Sequence, residues 1–191
     1  NIYQMGRDAI AAGEDETYVI SLNQWDPGTA IKLVNVLRRG GIKVDRATGD
    51  FILDGIEYPS GSFVVAGAQA FRPHLTDLLN PQVYPDRRLY PGGPPDRPYD
   101  ITGWTLPFQM DVKVAKHSGL GDQRADVALE PVVGLAQPPS RSMPDQPAGA
   151  YVIDTRANDA FIAVNRLLAG GETIYRTTTV VDEGVAYDQW G

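Results

Sequence analysis

The sequence of 191 residues has no cysteine at all. Disulfides, thiolate metal ligands and a cysteine nucleophile are therefore excluded. The compartment stays open, because exported and cytosolic chains can both lack the residue. Histidine is nearly as scarce, with only His74 and His117. Positive charge is short as well: 17 Lys and Arg against 24 Asp and Glu leave a formal charge of -7. A field of that sign repels a polyanion, which argues against nucleic acid as a partner. No apolar run approaches the ~20 residues of a membrane-spanning helix. There is also no initiating methionine and no signal-like apolar segment, so the sequence reads as a piece of a longer protein or as a trimmed mature chain.

What is present suffices for one sizeable core, with 42% hydrophobic residues. Fifteen prolines and twenty glycines call for long irregular connections. Residues 1–16 read as a linker, a weak helix or the tail of a preceding domain, and 17–191 as one domain. Tyr18-Val19-Ile20 is a short strand signal. Asp26-Pro27 then supplies an N-cap with proline at the first helical position. Ala30, Leu33, Val34 and Leu37 follow at helical spacing, Gly40-Gly41 stops the helix, and Ile42-Lys43-Val44 reads as the next strand. Asp54-Gly55 between two short apolar runs predicts a hairpin. Ser62-Phe63-Val64-Val65-Ala66 reads as a buried strand and 70–79 as a helix. Residues 80–149 form a long excursion, rich in proline and aromatics in its first part. A short helix is expected within 100–110, a strand at Val112-Lys113-Val114, a Gly-rich turn over 117–123 and an extended piece within 127–136.

The last part repeats the first. Val34-Asn35-Val36-Leu37-Arg38-Arg39-Gly40-Gly41 matches Val164-Asn165-Arg166-Leu167-Leu168-Ala169-Gly170-Gly171. Tyr18-Val19-Ile20 matches Tyr151-Val152-Ile153, and Arg46 and Thr48 match Arg176 and Thr178. A duplicated β-α-β unit implies a mainly parallel sheet with helices on both faces, a three-layer αβα sandwich. Gly191 falls in the register of Gly61, just before the strand at 62–66. The expectation is that the second copy breaks off before its third strand and that the domain continues past Gly191.

Chemistry is sparse. His74 and Asp77 stand at i and i+3 on one helix, and with His117 they could furnish three zinc ligands. A solvated histidine beside a surface aspartate is the more ordinary outcome. The turn Ala66-Gly67-Ala68-Gln69-Ala70 joins a strand to a helix but carries no Ser, Thr or Cys, so it is no nucleophile elbow. Gly67 and Gln69 mark a candidate ligand turn at a helix N-terminus, with close packing as the simpler reason for the small residues. Ser118, Ser140 and Ser142 have no histidine close by that spacing would make a base, and Glu14, Asp15, Glu16, Asp182 and Glu183 read as solvated ends of elements. Tyr84, Tyr90, Tyr99 and Trp104, set among prolines, are candidate contacts to a sibling domain, since rigid aromatic area binds at low entropic cost.

Long stretches carry a family resemblance. Gln24-Trp25-Asp26-Pro27, Tyr58-Pro59-Ser60-Gly61-Ser62-Phe63-Val64-Val65, Ala68-Gln69-Ala70-Phe71-Arg72-Pro73, Gln82-Val83-Tyr84-Pro85-Asp86 and Pro98-Tyr99-Asp100-Ile101-Thr102-Gly103-Trp104-Thr105-Leu106-Pro107 resemble the region after the catalytic domain in large bacterial zinc carboxypeptidase-like proteins of the M14 peptidase family. That region is similar to class I glutamine amidotransferase-like domains, which implies a flavodoxin-like sheet. The resemblance implies an exported parent metallopeptidase with zinc in its catalytic domain. No His-x-x-Glu pair occurs in these 191 residues, and the amidotransferase nucleophile is a cysteine, so neither catalytic set carries over. The expected role is a non-catalytic accessory domain that packs on or positions a sibling peptidase domain. The alternative is an independent small-molecule or peptide-binding α/β module.

Overall fold

The computed structural model describes residues 1–83, 85–97, 105–118, 123, 125–138 and 151–176. Strand β1 (Glu16–Ile20) leads through a short loop to helix α2 (Pro27–Arg39), itself preceded at the start of the chain by helix α1 (Ile2–Ala12). Asp26 caps α2 by accepting from the backbone N–H of Gly28 and Thr29, with Pro27 at the first turn, where its missing N–H costs nothing. Ala30, Leu33, Val34 and Leu37 lie on one stripe and are completely buried. At the far end the N–H of Ile42 donates to the carbonyl of Leu37, and that of Gly41 to Arg38. This paired stop needs a left-handed residue, and Gly41 supplies it at φ +83.

The mainly parallel sheet expected from the repeat is not what forms. Strand β2 (Asp45–Ala47), the hairpin β3 (Phe51–Leu53) and β4 (Ile56–Tyr58), β5 (Phe63–Ala66), β6 (Ala115–Ser118) and β7 (Leu129–Pro131) are the other strands among the described residues. The main sheet has five strands in the order β6-β1-β5-β2-β7, and every neighbouring pair is antiparallel. The physical reason lies in β5. Both β1 and β2 run antiparallel to it, so they are parallel to each other, as a β-α-β unit requires. They never touch, because β5 enters between them. The unit is thus split, and the parallel ladder it would have formed is replaced by two antiparallel ones. The flavodoxin-like reading is overturned with it.

The strand predicted at Ile42-Lys43-Val44 begins later, at Asp45, although Ile42 and Val44 are buried. Lys43 finds its backbone partner elsewhere: its N–H donates to Gln69 Oε1 at 2.7 Å, and Gln69 Nε2 donates back to its carbonyl at 2.9 Å. The strand predicted at Val112-Lys113-Val114 is displaced in the same manner. Gln24 accepts from the N–H of Lys113 at 2.9 Å and donates to its carbonyl at 2.8 Å, and pairing into the sheet starts at Ala115. A third amide, Asn35, does likewise for Ala136, at 2.7 and 3.0 Å. Each side-chain amide mimics one residue of a neighbouring strand.

The two faces of the sheet are covered differently. Tyr18, Ile20, Phe63 and Val65 point toward α2, and helix α3 (Arg72–Leu79) adds Leu75 and Leu79 to the same core. Val19 faces the other way, against Leu53 and Tyr58 of the hairpin. The hairpin turn reads as predicted, with Asp54 at φ 52 and Gly55 at φ 73. A short helix α4 (Leu106–Met110) falls within the expected range. The sandwich is therefore helices, sheet and hairpin, in place of helices on both sides.

The second unit is half realised. Helix α5 (Asn158–Ala169) forms where expected and ends in the same paired stop, Glu172 to Leu167 and Gly171 to Leu168, with Gly171 at φ +86. Tyr151-Val152-Ile153 and Thr173-Ile174-Tyr175, both expected as strands, belong to neither sheet.

Replacing Gln69 by Ala strands the backbone of Lys43 and one bond to the Ala66 carbonyl in a half-buried site. A loss of about 1–3 kcal/mol in urea unfolding is expected, with the far-UV circular dichroism of the native state unchanged.

Candidate functional site

The turn singled out from the sequence is occupied by structure. Every polar atom of the Gln69 amide bonds to the main chain of Lys43 or Ala66. Gly67 sits where two backbones nearly touch: a Cβ there would stand 2.6 Å from Glu16 Cβ and 2.9 Å from the Gly13 carbonyl oxygen. Gly67 thus closes the joint between the end of α1 and the start of β1, while Gln69 ties the turn before α3 to the segment before β2. Of the four aromatic candidates, Tyr90 is exposed in a turn next to an isolated bridge between Arg88 and Pro95. Tyr84, Tyr99 and Trp104 lie outside the described residues.

The proposed zinc trio is not brought together. His74 is exposed on α3, its ring against Gly40, while His117 is buried in β6. Among the described residues no group of three His, Asp or Glu side chains could hold a metal.

His117 instead meets a residue that spacing gave no reason to pair with it. Its Nε2 shares a 2.8 Å hydrogen bond with the Tyr58 hydroxyl, and Asp54 Oδ2 lies 3.6 Å from Nδ1. With Nε2 accepting, the ring proton sits on Nδ1 and faces the carboxylate. Burial, with Asp54 next to it, pushes the Tyr58 phenol above its ordinary value. The line Asp54, His117, Tyr58 has the form of a proton relay. Its ends, however, are a surface carboxylate and a phenol 5% exposed, stacked on Phe51. The relay bolts the hairpin to edge strand β6.

A second polar node lies at the start of α2. Asp26 is 8% exposed. Besides capping α2 it accepts from the Thr29 hydroxyl and, across 132 residues of sequence, from the N–H of Asn158. Asn158 in turn donates its amide to Thr29 Oγ1. One carboxylate thus serves the first turns of α2 and α5. Desolvation works against the charge, yet the bonds from Asn158, Thr29 and Gly28 outweigh it and hold the pKa below the ordinary range. Beside this node a cleft of about 540 Å³ opens, lined by Trp25, Lys32, Gln109, Asp111 and Arg156 among others. The Arg156 guanidinium lies over the Trp25 ring at 5.5 Å.

The third node is Glu16. Arg72 holds it by two bonds at 2.8 and 2.9 Å, and Lys116 by one at 2.8 Å. The Arg72 bond lowers the carboxyl pKa first, burial opposes it, and Lys116 lowers it further. Among the described residues no buried side-chain nitrogen or oxygen lacks a partner. Each node joins elements, so the polar chemistry of the interior is spent on tertiary structure.

The unspent chemistry is apolar and lies outside. Helix α1 buries none of its residues, and Ile2, Tyr3, Met5 and Ile10 are exposed. Trp25, Phe71, Phe108, Phe161 and Leu168 are more than half exposed too. No described helix is long and apolar enough to cross a membrane. No family model, curated protein or solved structure matches this chain.

Two outcomes follow. Tyr58→Phe orphans His117 Nε2 inside the protein, at a cost of about 1–3 kcal/mol. Nitrogen-15 NMR of the parent protein is expected to show His117 protonated at Nδ1, and the variant to lose that preference. For Glu16, the folded pKa lies below the ordinary 4.5, so its contribution is complete above that value. It is lost as pH falls through the folded pKa. Glu16→Gln is expected to lower stability at pH 7 by about 1–2 kcal/mol and to flatten the acid limb of the stability curve.

Proposed function

We propose that this chain is a non-catalytic accessory domain of an exported zinc carboxypeptidase-like protein, packing on or positioning the sibling peptidase domain. The observation that carries the reading is α1. A helix of 11 residues is marginal by itself in water. This one touches the domain through its smallest positions: Gly6 and Ala9 are half-buried, and Gly6 faces the Cβ of Ala70. Ile2 is 88% exposed, Tyr3 73% and Met5 68%. Such a flank gains burial energy only against another body. Exposed Tyr90 suits the same kind of contact. The resemblance of the long motifs to the post-catalytic region of the M14 family is what makes a peptidase domain the body in this reading. Zinc and its ligands belong to that domain in this reading. The domain works by shape.

The test uses the chain alone and the chain in its parent. Met5→Asp with Tyr3→Asp is expected to leave the melting temperature of the isolated chain unchanged. In the parent protein the same pair is expected to loosen the domain contact, seen as loss of cross-links between α1 and the peptidase domain and several-fold weaker peptide hydrolysis. Peptide hydrolysis by the isolated chain on addition of zinc would overturn the reading, as would a parent with no His-x-x-Glu domain.

A further inference from the structure

We infer that the cleft between the sheet and the segment that follows β7 is a binding site for a free α-amino acid with an apolar side chain. The cleft measures about 550 Å³, a size that suits a small molecule. Its floor is sheet. Arg46 of β2 stands in register between Phe63 of β5 and Glu130 of β7. Residues opposite each other on neighbouring strands share a face, and all three line the cleft. Its wall is the segment 131–138, held against α2 by two side chains of that helix. Asn35 clamps both backbone groups of Ala136, and Arg38 Nε donates to the Gly134 carbonyl at 3.2 Å. The wall is therefore fixed before any ligand arrives.

The charges on the floor select the ligand. Arg46 and Glu130 are cross-strand neighbours of opposite sign, close enough to form an ion pair. The Arg46 guanidinium turns instead to Phe63, 5.8 Å from the ring centroid. It also lies against Gly61, where a Cβ would stand 3.3 Å from Nη2. Among the described residues the side chains of Arg46 and Glu130 make no hydrogen bond and no ion pair. A planar guanidinium suits a carboxylate, and a carboxylate suits an ammonium group. A simple anion on Arg46 would meet the charge of Glu130, and a simple cation on Glu130 would meet that of Arg46. An α-amino acid carries both charges on one carbon and meets neither penalty. The wall then chooses among amino acids. Val132, Val133, Leu135 and Pro138 line it, and Val133 is 90% exposed. An apolar side chain laid along them gains burial energy.

L-Leucine is the probe, titrated into the full chain under calorimetry and nitrogen-15 NMR. Binding is expected, with shifts confined to the amides of β2, β5 and the segment 129–138. Isocaproate, which is leucine without its ammonium, and leucinamide, which lacks the carboxylate, are each expected to bind about tenfold or more weakly, since each loses a charged hydrogen-bonded contact. Glu130→Gln changes an exposed residue. That variant is expected to melt as the parent does and to bind leucine no better than isocaproate. Arg46→Gln is expected to lose leucine and isocaproate alike. An absence of leucine binding at millimolar concentration overturns the inference, as do shifts that fall outside the cleft. N-Acetyl-leucine bound as tightly as leucine overturns it too, because the site would then take the C-terminus of a peptide. None of these readouts involves α1, so their failure leaves the reading of the accessory domain standing.

Discussion

The fold depends on four residues, Phe63, Val64, Val65 and Ala66. Among the described residues they form the only strand with a neighbour on each side that belongs to the β1–α2–β2 unit. All but Ala66 are essentially buried. Phe63 and Val65 meet α2 on one face, while the backbone satisfies β1 along one edge and β2 along the other. Without it, α2 would have a covering role with nothing continuous to cover. The helix supplies the apolar stripe, but the strand from later in the sequence makes that stripe useful.

That constraint explains which parts of the fold were legible. Helix α2 announces itself by local rules: an aspartate cap, a proline in the first turn, apolar residues at helical spacing and a glycine that accepts positive φ. The hairpin at Asp54-Gly55 is equally local. Strand adjacency is not local. Tyr18-Val19-Ile20 reads the same whether its neighbour is β2 or β5, and the direction of β1 relative to β2 is the same in both cases. A sequence pattern of β-α-β is therefore satisfied by a parallel pair and by a split pair alike, and the reading as a parallel sheet took the wrong branch. The displaced strands have a related cause. Ile42, Val44 and Val112 are buried, so the apolar alternation is correct. The ladder partner, however, is the side chain of Gln69 or Gln24, and a glutamine gives no sign in sequence that it will act as backbone.

The polar sites were the least legible for the same reason. His117 stands in a stretch of small and polar residues, Ala115-Lys116-His117-Ser118, whose alternation is too weak to mark a strand. Its partner Tyr58 is 59 residues away. Asp26 was readable as a cap, and it is one. Its second duty, to Asn158, depends on where α5 lands. Gly67 and Gln69 were noticed as a turn of small residues at a helix start, a pattern that suits an anion or close packing, with packing the simpler reason. Close packing is present at Gly67, where a Cβ would meet Glu16 and Gly13.

Two helices then stand apart from the rest. Both α1 and α5 are tied to the domain through polar anchors or small residues: Gly6, Ala9 and Gly13 for α1, and Asn158, Asp159 and Ala160 for α5. Both keep their larger apolar side chains outside. A helix attached by its small residues approaches closely and is fixed in angle, yet it commits little of its hydrophobic area to the attachment. The remaining area is free to bind without any rearrangement of the core. The firmly packed interior around β5 and the uncovered flanks of α1 and α5 are thus complementary: the first gives the second a fixed geometry. The bonds of Glu16, Asp26 and His117 between elements help to hold that geometry.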